Sequence, residues 1–484
     1  MTHQAVFDYI REHRDEHVAW LQEFVRQPSV SATGEGMAEA VEQVASYLRD
    51  LGCAEVEIVP TDGYPGVFAY YDAGAPKTIV NYGMYDVNAV NPVEWERPPF
   101  SGDLVSTEEF PSVLYGRGAF FAKGPFRAWL NALQSIIHVE GTLPVNIYFV
   151  VDGEEEIGSP HFHQVLERYA PRLRTADAVL SLGVAQNRTG DLSIFLGNKG
   201  FLYFELETSG QQWGRGPTGG AVHGSVQSIV DSPAWRLIHA VATLTEPDGR
   251  TVRVAGFSDH VRPPDPKDLG LLQSIADRLP GADMRTIIPN ASGPGRVQRF
   301  VDDLDGAELM ERYLFTPTFN IDGVYGGYIG PGSPTFSLPD RVVCNMDIRL
   351  VPDQEPDEIA AKLRRHLDHH GYEDIVLRVI SSSTWAKTPS DADIVQASVR
   401  AYRRLGHEPF VWPLRGTGGP WYLFNRVLGL PTLKDGGLGH GRGFHAPNEF
   451  LVIEGNERVG GLVECEQSHV EVLQSFAAYP EIYQ

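Results

Sequence analysis

Three consecutive glutamates follow an apolar run. Val145–Val151 leads into Gly153-Glu154-Glu155-Glu156-Ile157-Gly158-Ser159. A further acid, Asp86, stands in Gly83-Met84-Tyr85-Asp86-Val87, after the apolar run 78–82. Late in the chain a histidine sits in Phe444-His445-Ala446-Pro447-Asn448-Glu449. Carboxylates and an imidazole on loops after apolar strands are the groups of general acid–base catalysis and of metal sites. Alone, the glutamates read equally well as a solvated acidic loop. The turns Leu114-Tyr115-Gly116-Arg117-Gly118-Ala119 and Leu182-Gly183 add singular loops of the same kind. Ligands in open α/β sheets bind outside the carboxyl ends of the strands, so these loops are expected to converge.

The elements that must position them can be read from periodicity. Apolar residues at helical spacing predict helices over 5–26, 36–51, 123–137, 233–244, 356–370, 392–405 and 456–476. Short β-rich runs predict strands at 56–59, 67–71, 78–82, 145–151, 178–182, 201–207, 341–350 and 375–380. Alternating strands and helices predict an α/β sheet covered on both faces. From about 200 to 385 the pattern becomes a smaller α+β unit. The expected architecture is one split α/β domain, 1–204 with 386–484, interrupted by an inserted domain, 205–385.

The chain has 484 residues and a formal charge of 40 − 63 = −23. That acidity argues against nucleic acid and anionic membrane surfaces as partners. Cys53, Cys344 and Cys465 form no CxxC pair. This speaks against a thiolate zinc site or disulfide scaffold and for a reducing cytoplasm. The first residues, MTHQAVFDYIREHRDEH, contain no apolar signal core, and no apolar run approaches a bilayer span.

Taken together, the segments 82–87, 95–100, 114–119, Lys123-Gly124-Pro125, 154–160, 347–352 and 445–449 resemble, in order, the co-catalytic zinc amidohydrolases and exopeptidases. That family includes aminoacylase, acetylornithine deacetylase, carboxypeptidase G and the carnosine-type dipeptidases. The dipeptidase-like branch is the nearest. The resemblance implies a zinc-exopeptidase-like (phosphorylase/hydrolase-like) α/β catalytic domain with an inserted α+β lid that dimerises.

It also implies five metal ligands, and here the sequence departs. The first His position is Met84, the bridging Asp is Phe121, and the second Asp falls at Gly183 or Leu182. Only Glu156 and the late His445 are kept. Zinc takes imidazole, thiolate or carboxylate donors, so a dinuclear centre and any resident cofactor are not expected. A single zinc on Glu156 and His445, with His440 or Glu155, is the alternative. By the same resemblance Glu155 is the general base, Asp86 an orienting carboxylate, and His223 a lid histidine that polarises the substrate carbonyl. Arg349 binds the substrate carboxylate, and Thr417 and Gly418 lie on a substrate loop. Without zinc, Asp86, Glu155 and Glu156 face one another between apolar walls of Met84, Phe120 and Phe121, which raises a carboxyl pKa toward neutrality. Lys123 would offset part of the charge.

Three functions follow. The first is a metal-independent enzyme using carboxylate acid–base chemistry on a small amino-acid-like or acyl-amino-acid substrate, as lyase, isomerase, cyclase or hydrolase. The second is an amide hydrolase or dipeptidase with a rebuilt one-metal site. The third is a non-catalytic ligand-binding homologue.

Overall fold

The computed structural model describes residues 3–279, 284–288, 297–327 and 336–480. The chain clusters into two units. The first comprises 1–197, 387–414 and 420–484, and the second 198–386 with 415–419. The loop 415–419, expected with the split domain, therefore groups with the insert. Lys199 N–H donates to Arg415 O at 2.9 Å, and a Cβ on Gly418 would meet the Phe201 ring at 2.4 Å.

The core of the first unit is an eight-stranded sheet. Its order is Glu55–Val59, Gly66–Tyr71, Asn146–Asp152, Thr78–Met84, Ala178–Ser181, Thr432–Asp435, Ser193–Phe195 and Phe410–Trp412. The four central strands, from 146–152 to 432–435, run parallel. Val80, Ile147, Phe149, Val179 and Leu180 are fully buried, as parallel strands covered on both faces must be. Parallel pairing brings the carboxyl ends of these strands to one edge, at Asp152, Met84, Ser181 and Asp435.

A second, antiparallel sheet of the same unit orders Gly441–Arg442, Phe450–Glu454, Ser112–Tyr115 and Asp103–Val105. The pairing Phe450↔Tyr115 sets the turn after Tyr115 beside the loop before Phe450, although 335 residues separate them. Val18, Leu21, Val25, Leu114, Leu451 and Leu462 form the apolar cluster that anchors it.

The second unit is an antiparallel sheet ordered Asn320–Gly326, Arg341–Leu350, Gly200–Ser209 and Val376–Ser383. Helices Pro233–Val241 and Pro356–His369 bury Leu237, Ala240, Ile359, Leu363 and Leu367 against it with Leu202, Phe204, Cys344 and Met346.

Two expected helices differ. The stretch 5–26 is two helices, Gln4–Glu12 and Arg14–Arg26, because His13 (φ −103°, ψ 14°) leaves the helical region. The last helix starts at Leu462 rather than at 456. There the Asn456 side chain accepts N–H bonds from Arg458 (2.9 Å) and Val459 (3.0 Å), a local turn that competes with helix. Among the described residues no helix is long and apolar enough to cross a membrane.

Candidate active site

The acidic loop is built by carboxylates that bind its own backbone. Asp152 ends its strand and accepts the Glu154 N–H (2.9 Å) and the Ser159 hydroxyl (2.6 Å). Glu154, 3% exposed, accepts N–H bonds from Tyr64 (3.0 Å) and His161 (3.2 Å), tying the loop to its neighbour. Asp86 is completely buried, and its carboxylate accepts the N–H groups of Glu155 (3.1 Å) and Glu156 (2.9 Å). Asp86, expected as an orienting carboxylate, thus holds the short turn Glu155–Ile157 from beneath. Burial, reinforced by Asp152 and Glu155, pushes its pKa well above the usual carboxylate range.

Of the glutamates, Glu155 and Glu156 are left with side chains for chemistry. Burial raises the Glu155 carboxyl to about 7, against the attraction of Lys434 and with repulsion from Glu156 and Asp152. The Glu156 carboxylate meets His445 Nε2 at 2.9 Å and accepts from Asn88 Nδ2 at 3.3 Å. For His445, burial opposes protonation, but the hydrogen bond and charge of Glu156 outweigh it and hold the imidazole above its usual range.

The apolar wall is aromatic. The Phe444 and His445 rings stack at 4.0 Å, and Phe121 meets them edge-on, at 4.4 Å from Phe444 and 5.4 Å from His445. Phe121 is fixed by Glu449, which accepts the N–H groups of Phe120 (2.9 Å), Phe121 (3.0 Å) and Gly118 (3.2 Å) and pairs with Arg117 (2.8 Å). Met84 is 8% exposed at its strand end. Five of the eight described non-glycine residues with positive φ border this region: Ala122, Ser159, Asp435, His445 and Asn448. Such backbone persists only where surrounding contacts over-determine it, and it gathers at functional sites.

Lys123 is fully buried, and its ammonium donates to the main-chain carbonyls of Phe24 (3.2 Å) and Gln27. Burial lowers its pKa to about 7, against the attraction of Asp86. It secures the helix Lys123–Glu140 to the first residues of the chain. His440 also points elsewhere, with Nδ1 2.8 Å from Gln186 O.

His223, Arg349, Thr417 and Gly418 belong to the second unit. There His223 is exposed, with Nδ1 2.8 Å from Ser225 Oγ. The Arg349 guanidinium lies 3.3 Å from Asp347 and 5.7 Å from the centre of the Phe201 ring, against which Gly418 also packs.

Most positions at which the resemblance implies metal donors carry none. Met84, Phe121, Leu182 and Gly183 offer no carboxylate or imidazole. Among the described residues no three His, Cys, Asp or Glu side chains are grouped to hold an ion. At Gly183 a Cβ would make ordinary contact with Asp435, 3.5 Å from its Oδ1. Behind it, His469 Nε2 lies 3.2 Å from Gly183 O. Burial depresses this histidine to about 4. The unfolded chain takes up that proton near 6.5, so stability is lost as pH falls from 6.5 toward 4. His469→Gln is expected to flatten this acid limb by about 2 kcal/mol, read from urea unfolding at pH 7 and pH 4.5.

Sequence reasoning missed Lys434 and Trp421, whose side chains lie 4.4 Å apart, ammonium to ring centre, because a lone lysine at a strand end carries no motif. The strut role of Glu449 was equally invisible. The run of backbone acceptors it serves is visible only in three dimensions.

The Peptidase family M20/M25/M40 model matches residues 82–460, and the chain belongs to that family. It is 29% identical over 388 residues to a human Beta-Ala-His dipeptidase, covering 75% of this chain and 71% of that protein. It is 26% identical over 384 residues to a Cys-Gly metallodipeptidase of Candida albicans, covering 75% and 74%. Among solved structures, the M20 family metallo-carboxypeptidase Sso-CP2 from Sulfolobus solfataricus superposes with a TM-score of 0.82 at 29% identity, over 96% of this chain and 99% of that one. Human carnosine dipeptidase 1 shares the fold, with a TM-score of 0.76 at 24% identity over 98% and 99%.

Proposed function

We propose that this M20-family chain is an enzyme that works without a dinuclear metal centre, by carboxylate acid–base chemistry on a small amino-acid-like or acyl-amino-acid substrate. The observation that carries this reading is the direct 2.9 Å pairing of Glu156 with His445 beside Phe121, where the donor residues of a two-metal site are missing. Glu155 is the base. Its carboxyl stands on a turn held from beneath by Asp86, and burial brings it near neutrality. It takes a proton from carbon or nitrogen next to a carbonyl, and the Glu156–His445 pair, protonated on His445, returns one. Such steps serve epimerisation, elimination or cyclisation. Dipeptidase relatives support a peptide-like substrate. In this reading His223, Arg349, Thr417 and Gly418 serve substrate binding from the second unit. The chain is a cytoplasmic homodimer joined through that unit, whose edge strand exposes Ile321, Val324 and Tyr325.

A second reading has a specific observation behind it. Glu156 and His445 point at one another, and one relative is named a metallodipeptidase. A single ion between them would supply Lewis acidity for amide hydrolysis. Elemental analysis of the purified protein, with mass-spectrometric screening of dipeptides and N-acyl amino acids with and without chelator, separates the two. Well under one metal per chain with chelator-insensitive turnover is expected. Stoichiometric zinc with chelator-sensitive hydrolysis would sink the proposal, and no turnover of any compound would favour a ligand-binding role.

A further inference from the structure

The four parallel central strands end side by side, and each contributes to one rim. The first three end at Asp152, Met84 and Ser181. The fourth, Thr432–Asp435, is paired so that Lys434 lies opposite Ser181. Its next residue, Asp435, has positive φ and places its carboxylate beside Gly183. The rim position next to the missing second Asp ligand is thus occupied by a lysine. The ammonium of Lys434 lies 4.4 Å from the centre of the Trp421 ring. Trp421 packs edge-on against Tyr82 at 5.0 Å, and the Tyr82 hydroxyl donates to Asp152 at the base of the acidic loop.

We propose that Lys434 is the resident cation of this site: its ammonium, seated on Trp421 at the rim, supplies the positive charge that the acidic loop needs and repels a divalent metal from it. The inference rests on the metal-independent reading above and extends it, because it explains how Glu155 and Glu156 coexist without an ion between them. A fixed positive charge within the reach of a few residues opposes a dication strongly where water is partly excluded. An aromatic face under the ammonium holds it without removing its charge.

The test is zinc affinity, which needs no substrate. Competition against a chromogenic chelator is measured for Met84→His/Phe121→Asp, which restores two donors, and for the same protein with Lys434→Met or Lys434→Arg. Adding Lys434→Met is expected to tighten zinc binding by roughly tenfold or more, and adding Lys434→Arg to leave it unchanged. Equal affinities with and without Lys434→Met would overturn the proposal, as would equal tightening by Met and Arg, which would mean that shape rather than charge is responsible. Lys434→Met in the otherwise unaltered chain, followed by circular dichroism, checks that the fold survives. Stoichiometric zinc in the unaltered protein would instead refute the metal-independent reading, and is read separately.

Discussion

Replacing Glu155 by Gln is expected to lower turnover of the chain's substrate by roughly 10²–10⁴-fold while the protein stays folded. The substitution keeps the shape of the side chain and removes only its capacity to accept a proton. The turn survives because it is held by its own N–H groups on Asp86, not by the Glu155 side chain. The pH profile carries a second readout. A base must be ionised, and burial sets the Glu155 carboxyl at about 7. The rate of the unaltered enzyme therefore falls at high pH, where His445 loses its proton, and below that it rises with pH through about 7. In Glu155→Gln this limb disappears from the residual rate. An unchanged rate and an unchanged limb would remove Glu155 from the chemistry.

The largest loss of stability is expected at Glu449. Its carboxylate is 1% exposed and receives three N–H groups as well as the Arg117 guanidinium, itself 5% exposed. Glu449→Ala leaves a buried cation unpaired and three donors without an acceptor. Breaking one partner out of such a pair costs about 3–5 kcal/mol. Arg117 also lies 5.0 Å from the Trp95 ring centre, so it cannot swing to water without uncovering that indole. Glu449→Gln, which keeps an acceptor oxygen, is expected to lose less. Urea unfolding of the two variants measures the difference. A loss below about 1 kcal/mol in Glu449→Ala would show that water replaces the carboxylate there.

The sequence made much of this legible for identifiable reasons. Strands 78–84 and 146–152 announce themselves as mainly apolar runs, the first broken by Asn81, because both their faces are buried. Glu155, Glu156 and His445 stand in motifs distinctive enough to be placed by type and order. What was hidden is direction. Nothing in the local sequence distinguishes Asp86, which faces inward to backbone N–H groups, from Glu155, which faces the pocket. That the Lys123 ammonium also donates to the carbonyls of Phe24 and Gln27 is equally invisible in the local sequence. Lys434 becomes significant only when strand order sets it beside Ser181, a pairing between segments about 250 residues apart. Helix breaks at His13 and Asn456 depend on single side chains and dihedrals that periodicity does not encode.

The Arg117–Glu449 bridge spans 332 residues of chain, which gives the site a place in time as well as in space. A ribosome adding roughly 5–20 residues per second needs about half a minute or so to travel from one partner to the other. Throughout that interval the turn carrying Phe120 and Phe121 has no anchor, and Arg117 has no counter-ion from Glu449. Well before it ends the acidic loop and three of the four central strands are made, and the fourth, Thr432–Asp435, follows shortly before Glu449. The aromatic wall can close over them only when the loop 443–449 arrives.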